Sequence, residues 1–71
     1  MKNNKIQIYI NGKKKLIYNN KNLKELLKTL NINKKFIAIE LNKEIIPKSL
    51  YSCKIILEGD RIEIIEFIGG G

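Results

Sequence analysis

Few residues in this chain could do chemistry by themselves. There is no His, so the usual general base and the commonest metal ligand are both missing. Cys53 is the one thiol, which excludes an internal disulfide and any Cys–Cys metal pair within the chain. It could serve as a reactive thiol. The stronger reading is a small buried hydrophobe, since only Lys54 stands beside it as an activating cation. Asp60 and Arg61 could guide the docking of a partner, but ordinary turn chemistry accounts for them equally well. The sequence closes on Gly69-Gly70-Gly71. Three glycines alone read as a frayed terminus or an artificial extension. Any functional reading of them must come from the elements upstream.

Those elements fit in one small domain. The chain has 71 residues, too few for a second core. With 44% hydrophobic and 30% charged residues it is not a disordered polar tract. Residues 5–11 alternate, with Ile6, Ile8 and Ile10 on one face of a strand. Asn11-Gly12 is a two-residue hairpin signal, and Leu16-Ile17-Tyr18 forms the return strand. The period then changes. Leu23, Leu26, Leu27 and Leu30 make one helical stripe, Asn22 and Glu25 are placed as a capping box, and Asn31 and Asn33 can end the helix in the left-handed region. Residues 36–42 form an interior strand, Lys43-Glu44 turns, and Ile45-Ile46 returns until Pro47 stops the pairing. Residues 49–54 are irregular or a short helical turn. After the Glu58-Gly59-Asp60 turn, residues 61–68 form the last long strand. Its alternation slips at Ile65, so either both faces are covered or a bulge lies at Ile64-Ile65. One helix with four or five strands is an α+β chain. The expected solution is a β-grasp: a mixed sheet wrapped on the helix, with the first and last strands parallel at its centre. The expected organisation is one domain over residues 1–68 and a flexible glycine tail over 69–71.

Charge is the other candidate signal. Lys plus Arg exceeds Asp plus Glu by 14 to 7, a net +7, which first suggests nucleic acid or an acidic surface. Two observations weaken it. Lys, Ile and Asn, all with A/T-rich codons, make up over half of the chain. Most of the lysine also sits in residues 1–35, where Glu25 is the sole acid. Tyr9, Phe36 and Tyr51 lie in or beside apolar runs, where core packing is favoured over base stacking. There is no export signal and no apolar run of membrane length, so a cytoplasmic protein without membrane contact is expected.

Three segments carry a resemblance. Glu40-Leu41-Asn42-Lys43-Glu44-Ile45-Ile46-Pro47-Lys48, Glu58-Gly59-Asp60-Arg61-Ile62-Glu63-Ile64-Ile65 and Phe67-Ile68-Gly69-Gly70-Gly71 resemble, in order and spacing, the ThiS-type sulfur carriers of thiamin (thiazole) biosynthesis. The resemblance runs from Ile6 to Gly71. Lys43 departs from it, standing where that family usually has Gly or another turn-former, and the lysine run after Gly12 is richer than is usual there. The resemblance implies a β-grasp fold and a carrier that is a protein substrate, with no catalytic machinery and no bound cofactor. A C-terminal carboxylate is ionised near neutrality and needs no general base to attack the α-phosphorus of ATP. The adenylate is then open to a sulfur nucleophile, which leaves a thiocarboxylate on Gly71. Glycines lack a Cβ, so Gly69 and Gly70 can thread a narrow active site and leave the carbonyl unhindered. The implied partners are an E1-like adenylyltransferase that uses ATP, a persulfide sulfur donor and thiazole synthase. Phe67, Ile68, Asp60 and Arg61 are the candidate partner contacts, although at least one of Phe67 and Ile68 is expected in the core. The carrier alone is expected to be a monomer. The competing readings are a carrier for molybdopterin synthesis, a ubiquitin-like modifier, or a small basic RNA-binding module.

Overall fold

The structure, a computed structural model, describes residues 4–67. Strands β1 (Lys5–Ile10) and β2 (Lys13–Tyr18) form the opening hairpin. Helix α1 (Leu23–Thr29) follows. Strands β3 (Ile37–Leu41) and β4 (Glu44–Ile46) form a second hairpin, and β5 (Arg61–Glu66) closes the sheet. The sheet order is β2-β1-β5-β3-β4. β5 runs parallel to β1 and antiparallel to β3, so the last strand lies at the centre. This is the β-grasp that the element order predicts.

The local signals act as expected. Both hairpins turn on two residues in the left-handed region: Asn11 and Gly12 at φ 49° and 83°, and Asn42 and Lys43 at 51° and 72°. The Asn22 side chain accepts from the Glu25 N–H at 2.8 Å, and the Glu25 carboxylate accepts from the Asn22 N–H at 2.9 Å. That reciprocal cap starts a helix of about two turns, too short to stand alone. Packing completes it. Leu23, Leu26 and Leu27 are buried against Ile8, Ile37, Ile39 and Ile62 of the sheet, and Tyr51 and Ile56 close the far side. Burying each such side chain contributes roughly 1.5–3 kcal/mol.

Several expectations need correction. Asn31 ends the helix at φ 59°, but Asn33 does not. It is extended, and its side chain accepts from the Lys35 N–H to start a 3₁₀ turn over Lys34–Phe36. That turn takes Phe36 out of β3 and leaves it 58% exposed, not in the core. Glu44 belongs to β4, because the turn is the pair Asn42-Lys43. The slip at Ile65 is not a bulge. The β3–β5 register runs unbroken from Leu41 opposite Ile62 to Ile37 opposite Glu66. Ile65 simply faces outwards, on the side that the helix does not cover.

Candidate functional site

The strand that leads to the glycines is built from a tight turn. Gly59 takes φ 83°, and its N–H donates to Gln7 O at 2.8 Å. The Asp60 carboxylate accepts from the Leu57 N–H at 2.9 Å and from Asn42 Nδ2 at 3.0 Å. Asp60 therefore holds the turn. Arg61 is different. Its guanidinium lies over the Tyr9 ring, 4.3 Å from the centroid, on the outer face of the sheet. Tyr9 stands directly opposite Arg61 in the parallel pair, so register makes the contact.

Two turn asparagines then bracket β5. Asn42 Oδ1 accepts from the Arg61 N–H at 2.9 Å, and the Asn42 N–H donates to Arg61 O at 2.7 Å. From the other side the Asn11 N–H donates to Ile62 O at 2.9 Å, while Asn11 Oδ1 accepts from the Ile64 N–H at 2.7 Å. An Asn side chain has the same donor and acceptor as a peptide unit, so Asn11 prolongs the ladder past the end of β1. Beyond that point, among the described residues, only β3 holds the strand. The Phe67 N–H donates to Phe36 O at 2.8 Å, and the Glu66 backbone faces the side where β1 has ended.

The outer face around β5 is partly apolar. Ile45, Ile65 and Phe67 are exposed, Phe67 at 57%. Phe67 is not in the core, because alternation sets it with Arg61, Glu63 and Ile65 on the outer face. Glu40 and Glu63 are direct cross-strand neighbours there. With Lys43, Arg61 and Ile65 they line a shallow hollow of about 400 Å³. Ile68 and the glycines Gly69, Gly70 and Gly71 lie outside the described residues. Of the residues singled out from the sequence, Arg61 and Phe67 thus share one face, while the Asp60 carboxylate is engaged in the turn before β5. Tyr9, Asn11, Asn42 and Ile45 were missed. The two Asn residues had a signal, since each occupies the first position of a two-residue turn.

Cys53 is exposed, not buried. It follows the 3₁₀ turn over Lys48–Leu50, where Tyr51 takes the core position instead. Among the described residues no three His, Cys, Asp or Glu side chains are grouped to hold a metal ion. No helix among them is long and apolar enough to cross a membrane.

With this geometry in hand the chain can be set beside known proteins. A model of the ThiS family matches residues 3–71. The chain belongs to the ThiS family. The sulfur carrier protein ThiS of Bacillus subtilis is 39% identical over 49 residues, covering 69% of this chain and 74% of its own. The crystal structure of a thiamine biosynthesis protein (ThiS) from Geobacter metallireducens superimposes with a TM-score of 0.81 at 28% identity, over 93% of this chain and all of that one. A thiazole synthase of Paramagnetospirillum magneticum is 36% identical over 66 residues, which are 93% of this chain. The chain spans 20% of that synthase's length. Family membership and the ThiS β-grasp expected from the sequence are thereby established.

Proposed function

We propose that this chain is a sulfur carrier of thiamin biosynthesis whose working group is the Gly71 carboxylate. The observation that supports it most is the path of β5: a ThiS-family domain whose central, doubly bracketed strand leads directly into Phe67-Ile68-Gly69-Gly70-Gly71. The carboxylate attacks the α-phosphorus of ATP in an E1-like adenylyltransferase, and pyrophosphate leaves. The terminal sulfur of a persulfide attacks the acyl carbon and AMP leaves. A second thiol then cleaves the acyl disulfide so formed, releasing the thiocarboxylate and pairing with the donor's own cysteine sulfur as a disulfide. The resulting thiocarboxylate gives its sulfur to thiazole synthase. The likeness of this chain to one-fifth of a thiazole synthase supports that last partner, since carrier and acceptor must meet in each cycle. The missing His is consistent with a chain that is acted upon and does not itself catalyse. Arg61 and Phe67, on the outer face of the sheet, are the contacts offered to the activating enzyme, and Ile68 follows them in the sequence.

Incubation with the activating enzyme, ATP and sulfide should change the intact mass by one oxygen-to-sulfur exchange. Deletion of Gly70 and Gly71 should abolish that change while leaving the amide spectrum of residues 4–67 in place. An active enzyme that fails to charge the full chain overturns the proposal.

A further inference from the structure

The two edges of the sheet are not equivalent. On β4, Leu41 opposite Glu44 and Ile39 opposite Ile46 are the bonded pairs about the Asn42-Lys43 turn. Only Ile45 turns its backbone groups outwards, and Pro47 next to the strand has no N–H to offer. That edge is closed by shortness. β2 is the opposite case. The bonded pairs about Asn11-Gly12 include Lys13, Lys15 and Ile17, and the Asn19 N–H continues the series to Asn4 O at 2.8 Å. Lys14, Leu16 and Tyr18 therefore direct their N–H and C=O groups away from β1, and among the described residues these groups pair with nothing. Between this edge and α1 lies a cleft of about 190 Å³. Buried Ile17 and Leu26 form its floor, and Lys15 and Lys21 line it as well. Leu16 and Tyr18 are 62% and 58% exposed along the strand. Glu25, the sole acid in residues 1–35, is engaged in the helix cap.

We propose that the open edge of β2 takes up, as a sixth strand, an extended apolar peptide flanked by Asp or Glu. The backbone of Lys14, Leu16 and Tyr18 supplies the ladder, and alternate apolar side chains fill the cleft and cover Leu16. The lysines select the charge of the flanks. A second copy of this chain does not fit, because it would bring its own Lys13-Lys14-Lys15 against the same edge. The site is separate from the tail and does not rest on the sulfur-carrier reading.

The test is titration of the full ¹⁵N-labelled chain with a synthetic peptide of four alternating Val and Ile residues, two Asp at each end. Shifts should concentrate on the Lys14, Leu16 and Tyr18 amides. Affinity should fall roughly tenfold when Lys replaces Asp in the peptide, and again when salt is raised from about 50 to 500 mM. Leu16→Pro removes an N–H that β1 does not use and should abolish binding. If that variant fails to fold, the double variant K15E and K21E should weaken the acidic peptide and favour the lysine-flanked one. Four outcomes overturn the proposal: no shifts at millimolar peptide, equal binding of both peptides, shifts centred on Ile65 and Phe67, or self-association of the chain through β2. Deleting Gly69 to Gly71 should leave binding unchanged, which keeps this result independent of the charging assay.

Discussion

Lys43 holds a left-handed backbone at φ 72°, a conformation that an L-residue with a Cβ adopts at a cost of about 1–2 kcal/mol. Lys43→Gly removes that strain and gives back part of it as chain entropy. The expected net gain is roughly 0.5–1 kcal/mol, seen as a melting point higher by about 4 °C. Tyr51 is the second residue with a clear consequence. Its hydroxyl is buried without a hydrogen-bond partner among the described residues. Burial pushes its pKa above 10.0, and the nearby Ile39 backbone offsets this only in part without reaching hydrogen-bond geometry. The folded chain therefore keeps the phenolic proton at a pH where the unfolded chain has lost it. Stability contributed by neutral Tyr51 is complete below pH 10 and declines as pH rises beyond it. Tyr51→Phe should leave neutral-pH stability unchanged or slightly higher and flatten the decline above pH 10 in denaturant titrations. At this scale the sequence was read unevenly. Asp60 as turn residue and Tyr51 as core residue were legible. Phe36 and Cys53 were not: Phe36 falls in the Lys34–Phe36 turn just before β3, and Cys53 follows the Lys48–Leu50 turn with Tyr51 in the core position, so in each case a 3₁₀ turn decides which side the residue faces.

Elements were more legible than residues, because their signals are local. The capping box, the leucine stripe and the Asn11-Gly12 turn are written within a few positions of where they act, whereas the second turn falls one residue earlier than Lys43-Glu44 suggested. What spans the sheet was not legible. The Asn11 bracket on Ile64 joins residues 53 apart, and nothing local marks it. Asn11→Gly keeps a residue suited to φ 49° and removes only the side chain. It should cost about 1–2 kcal/mol and raise the hydrogen-exchange rate of the Ile64 amide more than that of Glu63, which bonds towards β3. Retention of slow exchange at Ile64 would show that β3 alone holds the strand. The same reasoning explains the misjudged slip at Ile65. Continuous apolar residues mean two covered faces or a bulge only if the outer face is polar throughout, and here it carries Ile45 and Phe67 as well.

At the scale of the whole molecule, topology followed from element order alone, and parallel pairing of first and last strands was the decisive expectation. The uneven charge also keeps a spatial meaning. The lysine-rich half builds the β2 edge and the helix, whereas Glu40 and Glu63 lie side by side on the outer face of β3 and β5. Association with an activating enzyme through the β5 face should therefore respond to K13E, K14E and K15E by less than a factor of about three, while binding at the β2 edge should respond tenfold or more. Measuring both with the same variants separates the two surfaces.

The central position of β5 has a mechanical consequence. Tension on the residues after Phe67 runs along that strand, parallel to β1 and against β3. The bonds from Tyr9 N–H to Asp60 O, from Asn11 N–H to Ile62 O and from Phe67 N–H to Phe36 O lie across the line of pull. They load in shear and must yield together; a terminal hairpin would instead peel one bond at a time. An enzyme can thus tug on the end of this chain and feel a stiff handle behind it.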